Sequence, residues 1–138
     1  MERFVRLDQR FVGIDVGAET IKVAEVAREG DELRLVRHAV VVHGKEPGPT
    51  LREMLRVWDW DSVSSAVTTG RLSRQVALRR IPTKQAMLRG LRLLYGPEPI
   101  TVVSIGSRGV AVLEARERGA SWRENSRCAQ GTGNFLRQ

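Results

Sequence analysis

Alternation of apolar and polar positions governs the opening of this chain, and helical spacing enters only afterwards. Phe11 to Val16 is a short apolar run carrying Val12 and Ile14, and Thr20 to Val26 sets Ile21, Val23 and Glu25 against Lys22, Ala24 and Val26. A period of two puts successive side chains on opposite faces of an extended backbone, so both segments predict strands. Gly17-Ala18-Glu19 between them predicts a tight turn and hence a hairpin. Glu29-Gly30-Asp31 predicts a second turn and Leu33 to Val42 a third strand, completing an antiparallel meander before the Gly/Pro stretch from Gly44 to Pro49.

Helical spacing then appears from Thr50 to Trp58, where Leu51, Met54, Leu55 and Trp58 share one face. The sequence Trp58-Asp59-Trp60-Asp61 marks the exit of that helix, with both indoles expected to pack under the sheet. Ser64 to Thr69 predicts a strand ending at Gly70-Arg71. Pro82-Thr83 opens a second helix with Met87, Leu88, Leu91, Leu94 and Tyr95 on one face, closed by Gly96-Pro97. The strand signal returns in Ile100 to Ile105, the turn Gly106-Ser107-Arg108-Gly109 and Val110 to Ala115, with Gly119-Ala120 and Trp122 to Glu124 as a third strand. The pattern of strand, glycine turn and strand thus occurs twice. It divides the chain into a first domain, 1–97, and the start of a second, 98–138.

Composition narrows the class. The 138 residues, 41% of them hydrophobic, suffice for one ordinary domain or a small domain with part of another. No apolar run reaches membrane-spanning length, so no membrane partner is expected. Met1 to Arg10 lacks the apolar core of a secretory signal. The single cysteine, Cys128, permits no intramolecular disulfide and suits a reducing cytoplasm, the expected location. The net charge of +7 is concentrated between Ser62 and Pro97, where Arg71, Arg74, Arg79, Arg80, Lys84, Arg89 and Arg92 meet no acidic residue. Such a segment is either a solvated basic face or one that meets an acidic partner or a phosphate-bearing ligand. Without interleaved aromatics or zinc-ligand spacing, nucleic acid is not expected as a partner.

Cys128 stands immediately before Ala129-Gln130-Gly131-Thr132-Gly133, which reads as a glycine-flanked helix start. The unpaired N–H groups and positive dipole end of a helix N-terminus favour a thiolate and an anionic ligand or cluster. Gly131 and Gly133 would let the backbone approach such a ligand closely. The plain alternative is a buried packing thiol.

Two hairpins, each opening a βββα unit, resemble the actin, sugar-kinase and Hsp70-like ATPase fold. The fold class this implies is α/β: a ribonuclease H-like βββαβα domain followed by the truncated start of a second, similar domain. Gly13-Ile14-Asp15-Val16-Gly17-Ala18-Glu19-Thr20-Ile21-Lys22 is similar to the first phosphate loop of that fold. The residue types suit the role. Gly17 frees backbone N–H groups for phosphate oxygens, Thr20 and Lys22 add donors and charge, and Asp15 can hold Mg²⁺ through water. A glycine hairpin with a solvated lysine is the plainer reading.

Together with Thr69-Gly70-Arg71 and the segment Arg127 to Leu136, the hairpin resembles the activators of 2-hydroxyacyl-CoA dehydratases and the ATPase subunits of benzoyl-CoA reductase, the BadF/BadG/BcrA/BcrD type. The resemblance covers essentially the whole chain. It implies ATP with Mg²⁺, a homodimer holding a four-iron four-sulfur cluster at its interface, and ATP-driven electron transfer to a CoA-dependent dehydratase or reductase. Cys128 matches the first of the two cysteine ligands each subunit of that family supplies. Gly106 and Ser107 fall in the second phosphate loop.

The departures are as informative. The family reads Asp-Ile-Gly-Gly-Gln-Asp where this chain has Ser104-Ile105-Gly106-Ser107-Arg108-Gly109, so both carboxylates that would orient metal or water are missing. Ala18 and Glu19 stand where hydroxyl residues are usual. One cysteine per chain gives two per dimer, and a typical cluster needs four. The expectation that follows is the N-terminal part of a longer protein. The runner-up is an actin-like scaffold of the pilus-assembly or cell-division kind, binding nucleotide without a cluster. A small-molecule kinase comes third, because no substrate acid of a second domain is visible.

Overall fold

The structure, a computed structural model, describes residues 9–106 and 109–125. Its first three strands are the meander: β1 Gln9–Val16, β2 Thr20–Glu29 and β3 Glu32–Val42, paired antiparallel in sequence. Alternation decides what is buried. Val12, Ile14 and Val16 of β1 and Ile21 and Val23 of β2 lie on one face, each no more than 2% exposed. Full burial of such a side chain stabilises by about 1.5–3 kcal/mol relative to exposure, so this face anchors the fold.

Helix α1, Pro47–Leu55, covers that face with Leu51 and Met54. It begins three residues before the expected Thr50, because Pro47 occupies the first turn, where a missing N–H costs nothing. Gly44 and Lys45, both at positive φ, turn the chain from β3 into it. Trp58 closes the core at 6% exposure. Trp60 departs from expectation. It sits in a single 3-10 turn, Trp60–Ser62, is 38% exposed, and donates from Nε1 to the Leu55 carbonyl at 2.9 Å, which holds the ring outside the core.

Strand β4, Val63–Thr69, runs parallel to β1, and a two-residue strand β5, Arg79–Arg80, runs parallel to β4. The sheet order is β3-β2-β1-β4-β5. The chain thus shows the α/β architecture expected, with β5 an element the sequence did not reveal. A carboxylate also lies in the core stripe. Glu25 of β2, 2% exposed, accepts from Arg10 at 3.1 Å and from Arg37 at 2.9 and 3.2 Å. Arg37 in turn lies 3.8 Å over the Trp58 ring. Register irregularities in β1/β4 at Arg10/Phe11 and in β2/β3 at Glu25/Val26 accommodate this cluster.

Contacts divide the chain into two compact units, Met1–Ile81 and Pro82–Gln138. The second contains helix α2, Thr83–Tyr95, and the antiparallel sheet β6-β7-β8, formed by Ile100–Gly106, Gly109–Arg116 and Gly119–Asn125. Leu113 and Ala115 of β7 are its buried apolar residues. Helix α2 groups with these strands because Lys84 Nζ donates to the Ala120 carbonyl at 3.0 Å and Arg92 to the Arg116 carbonyl at 3.1 Å. No helix among the described residues is long and apolar enough to cross a membrane.

Candidate functional site

The β1–β2 hairpin brings the four residues singled out in the sequence to one end of the five-stranded sheet. Asp15 and Lys22 are register partners, and Asp15 is also paired with Thr69 of β4. Because Val16 and Ile21 point into the core, Asp15 and Lys22 share the opposite face. Lys22 Nζ lies 3.0 Å from Asp15 Oδ2, with the two side chains 50% and 34% exposed. A pair this open contributes at most about 1 kcal/mol to stability, so its charges can be exchanged for those of a ligand at little cost to the fold.

Gly70 backs the carboxylate. Its φ is +94°, and a Cβ there would come within 2.2 Å of Asp15 Oδ1 and 2.6 Å of the Val16 carbonyl oxygen. Only glycine fits. The chain after β4 is fastened to the end of β1 by Leu72 N–H donating to the Val16 carbonyl at 2.9 Å, and Thr68 Oγ1 donates to the Ile14 carbonyl at 3.1 Å. The carboxyl ends of the parallel strands β1 and β4 therefore meet at Asp15, with the chain leaving β1 for β2 on one side and β4 on the other. This is the position at which open α/β sheets bind ligands.

The turn itself differs from the sequence expectation in one respect. Gly17 N–H is engaged inside the hairpin, donating to the Thr20 carbonyl at 2.9 Å. Among the described residues, the N–H groups of Ala18 and Glu19 have no hydrogen-bond partner, and they are the donors the turn can offer an anion. On the other side of the turn His43, 4% exposed, reaches the Gly17 carbonyl with Nε2 at 3.2 Å, and its own N–H donates to the Glu19 carbonyl at 3.1 Å.

Asp15 is the one carboxylate the paired strands bring to Lys22 and Gly70. No group of three or more His, Cys, Asp or Glu that could hold a metal occurs among the described residues. Asp15 suits a magnesium ion that keeps most of its ligands as water and phosphate oxygen. In the second unit Gly106 and Gly109 are register partners at the end of β6 and β7. A Cβ at Gly109 would meet the Asn125 carbonyl at 2.8 Å, whereas one at Gly106 would meet only the Gly109 carbonyl at 3.7 Å. Ser107, Cys128, Gly131 and Gly133 lie outside the described residues.

The sequence places Gly70 at a strand end and in the motif Thr69-Gly70-Arg71 but does not connect it to Asp15, although a glycine directly after Thr68-Thr69 was a signal for a close approach. His43 carried no signal beyond preceding Gly44.

Solved structures share this fold. The chain superposes on component A of (R)-2-hydroxyglutaryl-CoA dehydratase from Acidaminococcus fermentans with a TM-score of 0.75 and 22% identity, covering 94% of this chain and 52% of that one. The activator of 2-hydroxyisocaproyl-CoA dehydratase from Clostridium difficile, solved with bound ADPNP, gives 0.72 and 24%, with 93% and 50% covered. An exopolyphosphatase from Cytophaga hutchinsonii gives 0.67 and 15%, with 92% and 53% covered. The chain thus has the actin-like ATPase fold and spans about half the length of the solved structures it matches. No family model matches its sequence, and no curated protein does.

Proposed function

We propose that this chain binds a nucleoside triphosphate at the Asp15–Lys22 hairpin as part of an activator ATPase, which couples ATP to electron transfer into a CoA-dependent dehydratase or reductase. The observation that carries the reading is the hairpin: Asp15 and Lys22 at 3.0 Å, backed by a glycine that no other residue can replace, at the carboxyl ends of β1 and β4. The fold shared with two dehydratase activators, one of them holding ADPNP, supports it.

In this reading Lys22 exchanges its bond to Asp15 for a phosphate oxygen, and the free N–H groups of Ala18 and Glu19 cradle the same group. Asp15, released from Lys22, would hold Mg²⁺ through water, and the ion would supply charge neutralisation of the phosphates. Thr20 adds a hydroxyl donor, while Gly106 and Ser107 belong to the proposal through their sequence motif alone. Glu19 opposes phosphate, and the second loop carries Ser104 and Gly109 in place of carboxylates. Binding is therefore weak and hydrolysis slow or absent.

The assignment of 1–97 to a first ATPase-fold domain and 98–138 to the start of a second belongs to this proposal, as do the cytoplasmic location and the homodimer. The resemblance would make Cys128 a cluster ligand, with Gly131 and Gly133 close to it in sequence. One thiol per chain makes two per dimer, half of what a four-cysteine cluster needs, so the donor set of this chain does not complete one.

Calorimetric titration with MgATP tests the reading. Lys22→Ala removes a charge-assisted contact, on the order of 1.5–3 kcal/mol, and should weaken binding more than tenfold. Unchanged affinity in that variant rejects the hairpin as the phosphate site. A second reading is an actin-like scaffold that binds nucleotide without a cluster, and the Cys128 segment is the feature that separates the two. Anaerobic purification separates the two: a brown, oxygen-sensitive protein supports the activator and a colourless one the scaffold.

A further inference from the structure

We propose that His43 is a positioning residue for the phosphate hairpin: it turns the peptide between Gly17 and Ala18 so that the Ala18 N–H faces an incoming anion. The inference rests on the nucleotide reading above and adds to it a residue outside the motif.

The geometry begins with a missing bond. A tight two-stranded turn is commonly closed by a hydrogen bond from the fourth residue's N–H to the first residue's carbonyl. Here Gly17 N–H donates to the Thr20 carbonyl, but no return bond from Thr20 N–H to the Gly17 carbonyl is present. The Gly17 carbonyl instead meets His43 Nε2 at 3.2 Å. A carbonyl oxygen only accepts, so Nε2 carries a proton and is the donor. The ring's Nδ1 is buried and without a partner among the described residues.

The arrangement has a directional consequence. In a trans peptide the C=O and the next N–H point in opposite directions, and no cis peptide occurs among the described residues. With the Gly17 carbonyl drawn toward a buried imidazole, the Ala18 N–H is aimed away from the core. The backbone N–H of His43 does the same for the next part of the turn by holding the Glu19 carbonyl at 3.1 Å. The loop after His43 closes back on it, with Glu46 N–H donating to the His43 carbonyl at 2.8 Å, so the backbone of His43 is held at both its N–H and its carbonyl.

The orphaned Nδ1 separates this role from plain packing. A leucine at this position would fill the space without burying an unpaired ring nitrogen, an arrangement that is costly in a protein interior. What the imidazole supplies and a leucine does not is the Nε2–H donor to Gly17.

His43→Leu and His43→Gln test the inference in the full chain, because glutamine carries an N–H donor at the same number of bonds from the backbone. MgATP affinity by calorimetry, amide hydrogen exchange and thermal melting are measured on wild type and both variants. Expected are a tenfold or greater weakening of MgATP in His43→Leu, recovery to within threefold of wild type in His43→Gln, and slower exchange at Ala18 in His43→Leu alone, as its N–H turns from solvent. Wild-type affinity and unaltered Ala18 exchange in His43→Leu would overturn the inference. So would equal loss in both variants accompanied by equally lowered melting, which marks His43 as packing. If wild type itself binds no MgATP, the nucleotide reading fails. Ala18 exchange then decides the positioning role alone: a change restored by glutamine supports it, and no change overturns it.

Discussion

The two glycine hairpins of this chain look alike in sequence and differ in what surrounds them. The β1–β2 hairpin lies in a five-stranded sheet whose buried face is lined by five aliphatic side chains, none more than 2% exposed. Its charged pair is braced from behind by Gly70. The β6–β7 hairpin lies in a three-stranded sheet in which Leu113 and Ala115 are the buried apolar residues, and Ser104 and Gly109 replace the acids of the resembled motif. A glycine turn between two strands is therefore not itself a site. The site is made by the third strand that arrives beside the turn and by the chain that follows that strand.

The largest expected effect contrasts two glycines. Gly70→Ala forces a Cβ into Asp15 and Val16 at a φ of +94°. Left-handed strain and overpacking together should lower stability by about 2 to 5 kcal/mol in urea unfolding. Gly106→Ala meets only an ordinary contact at 3.7 Å and should cost less than about 1 kcal/mol. Equal costs would mean that the first hairpin is no more constrained than the second.

Glu25→Ala comes next. It removes a carboxylate 2% exposed from between Arg10 and Arg37. Breaking a buried ion pair costs about 3–5 kcal/mol, and the lower end applies because both arginines reach solvent. A loss near 3 kcal/mol, seen as a shifted denaturation midpoint, is expected. A loss below 1 kcal/mol would show that Arg37 is held by Trp58 instead.

Lys22→Ala should then behave in the opposite way to Glu25→Ala. Its exposed pair contributes at most about 1 kcal/mol to stability, while the same change weakens MgATP more than tenfold. A melting temperature that falls as steeply as the affinity would make Lys22 structural. The smallest effect belongs to the second sheet, where Ile105 on the edge strand β6 is 51% exposed. Ile105→Lys should leave stability within about 0.5 kcal/mol and raise solubility in a concentration series.

Most of the first sheet was legible because strand burial is written in the sequence with a period of two. Strands β1 and β2 follow from it directly, while β3 and β4 were legible only as runs of β-forming residues between turn signals. Strand β5 was not legible, since Arg79 and Arg80 carry no apolar pattern and are held through backbone pairing to Val67 and Thr68. Glu25 was visible on the apolar stripe beside Ile21 and Val23, but its burial depends on arginines 15 and 12 residues away that no local pattern connects to it. Asp15 and Lys22 were legible as a motif. Gly70 and His43 were not legible as members of the site, because each acts through a contact that exists only after the chain has folded back.

That folding back carries a consequence for how the protein is made. The bond from Thr68 to Ile14 spans 54 positions of sequence, whereas the meander closes through neighbouring turns. At roughly 5–20 residues per second, a ribosome delivers β4 about 3 to 10 s after β1. Throughout that interval the edge of β1 that β4 later occupies is open beside a formed hairpin, and Asp15 has no Gly70 behind it. The nascent chain therefore presents an unpaired strand to chaperones and to other nascent copies before Gly70 has closed behind Asp15.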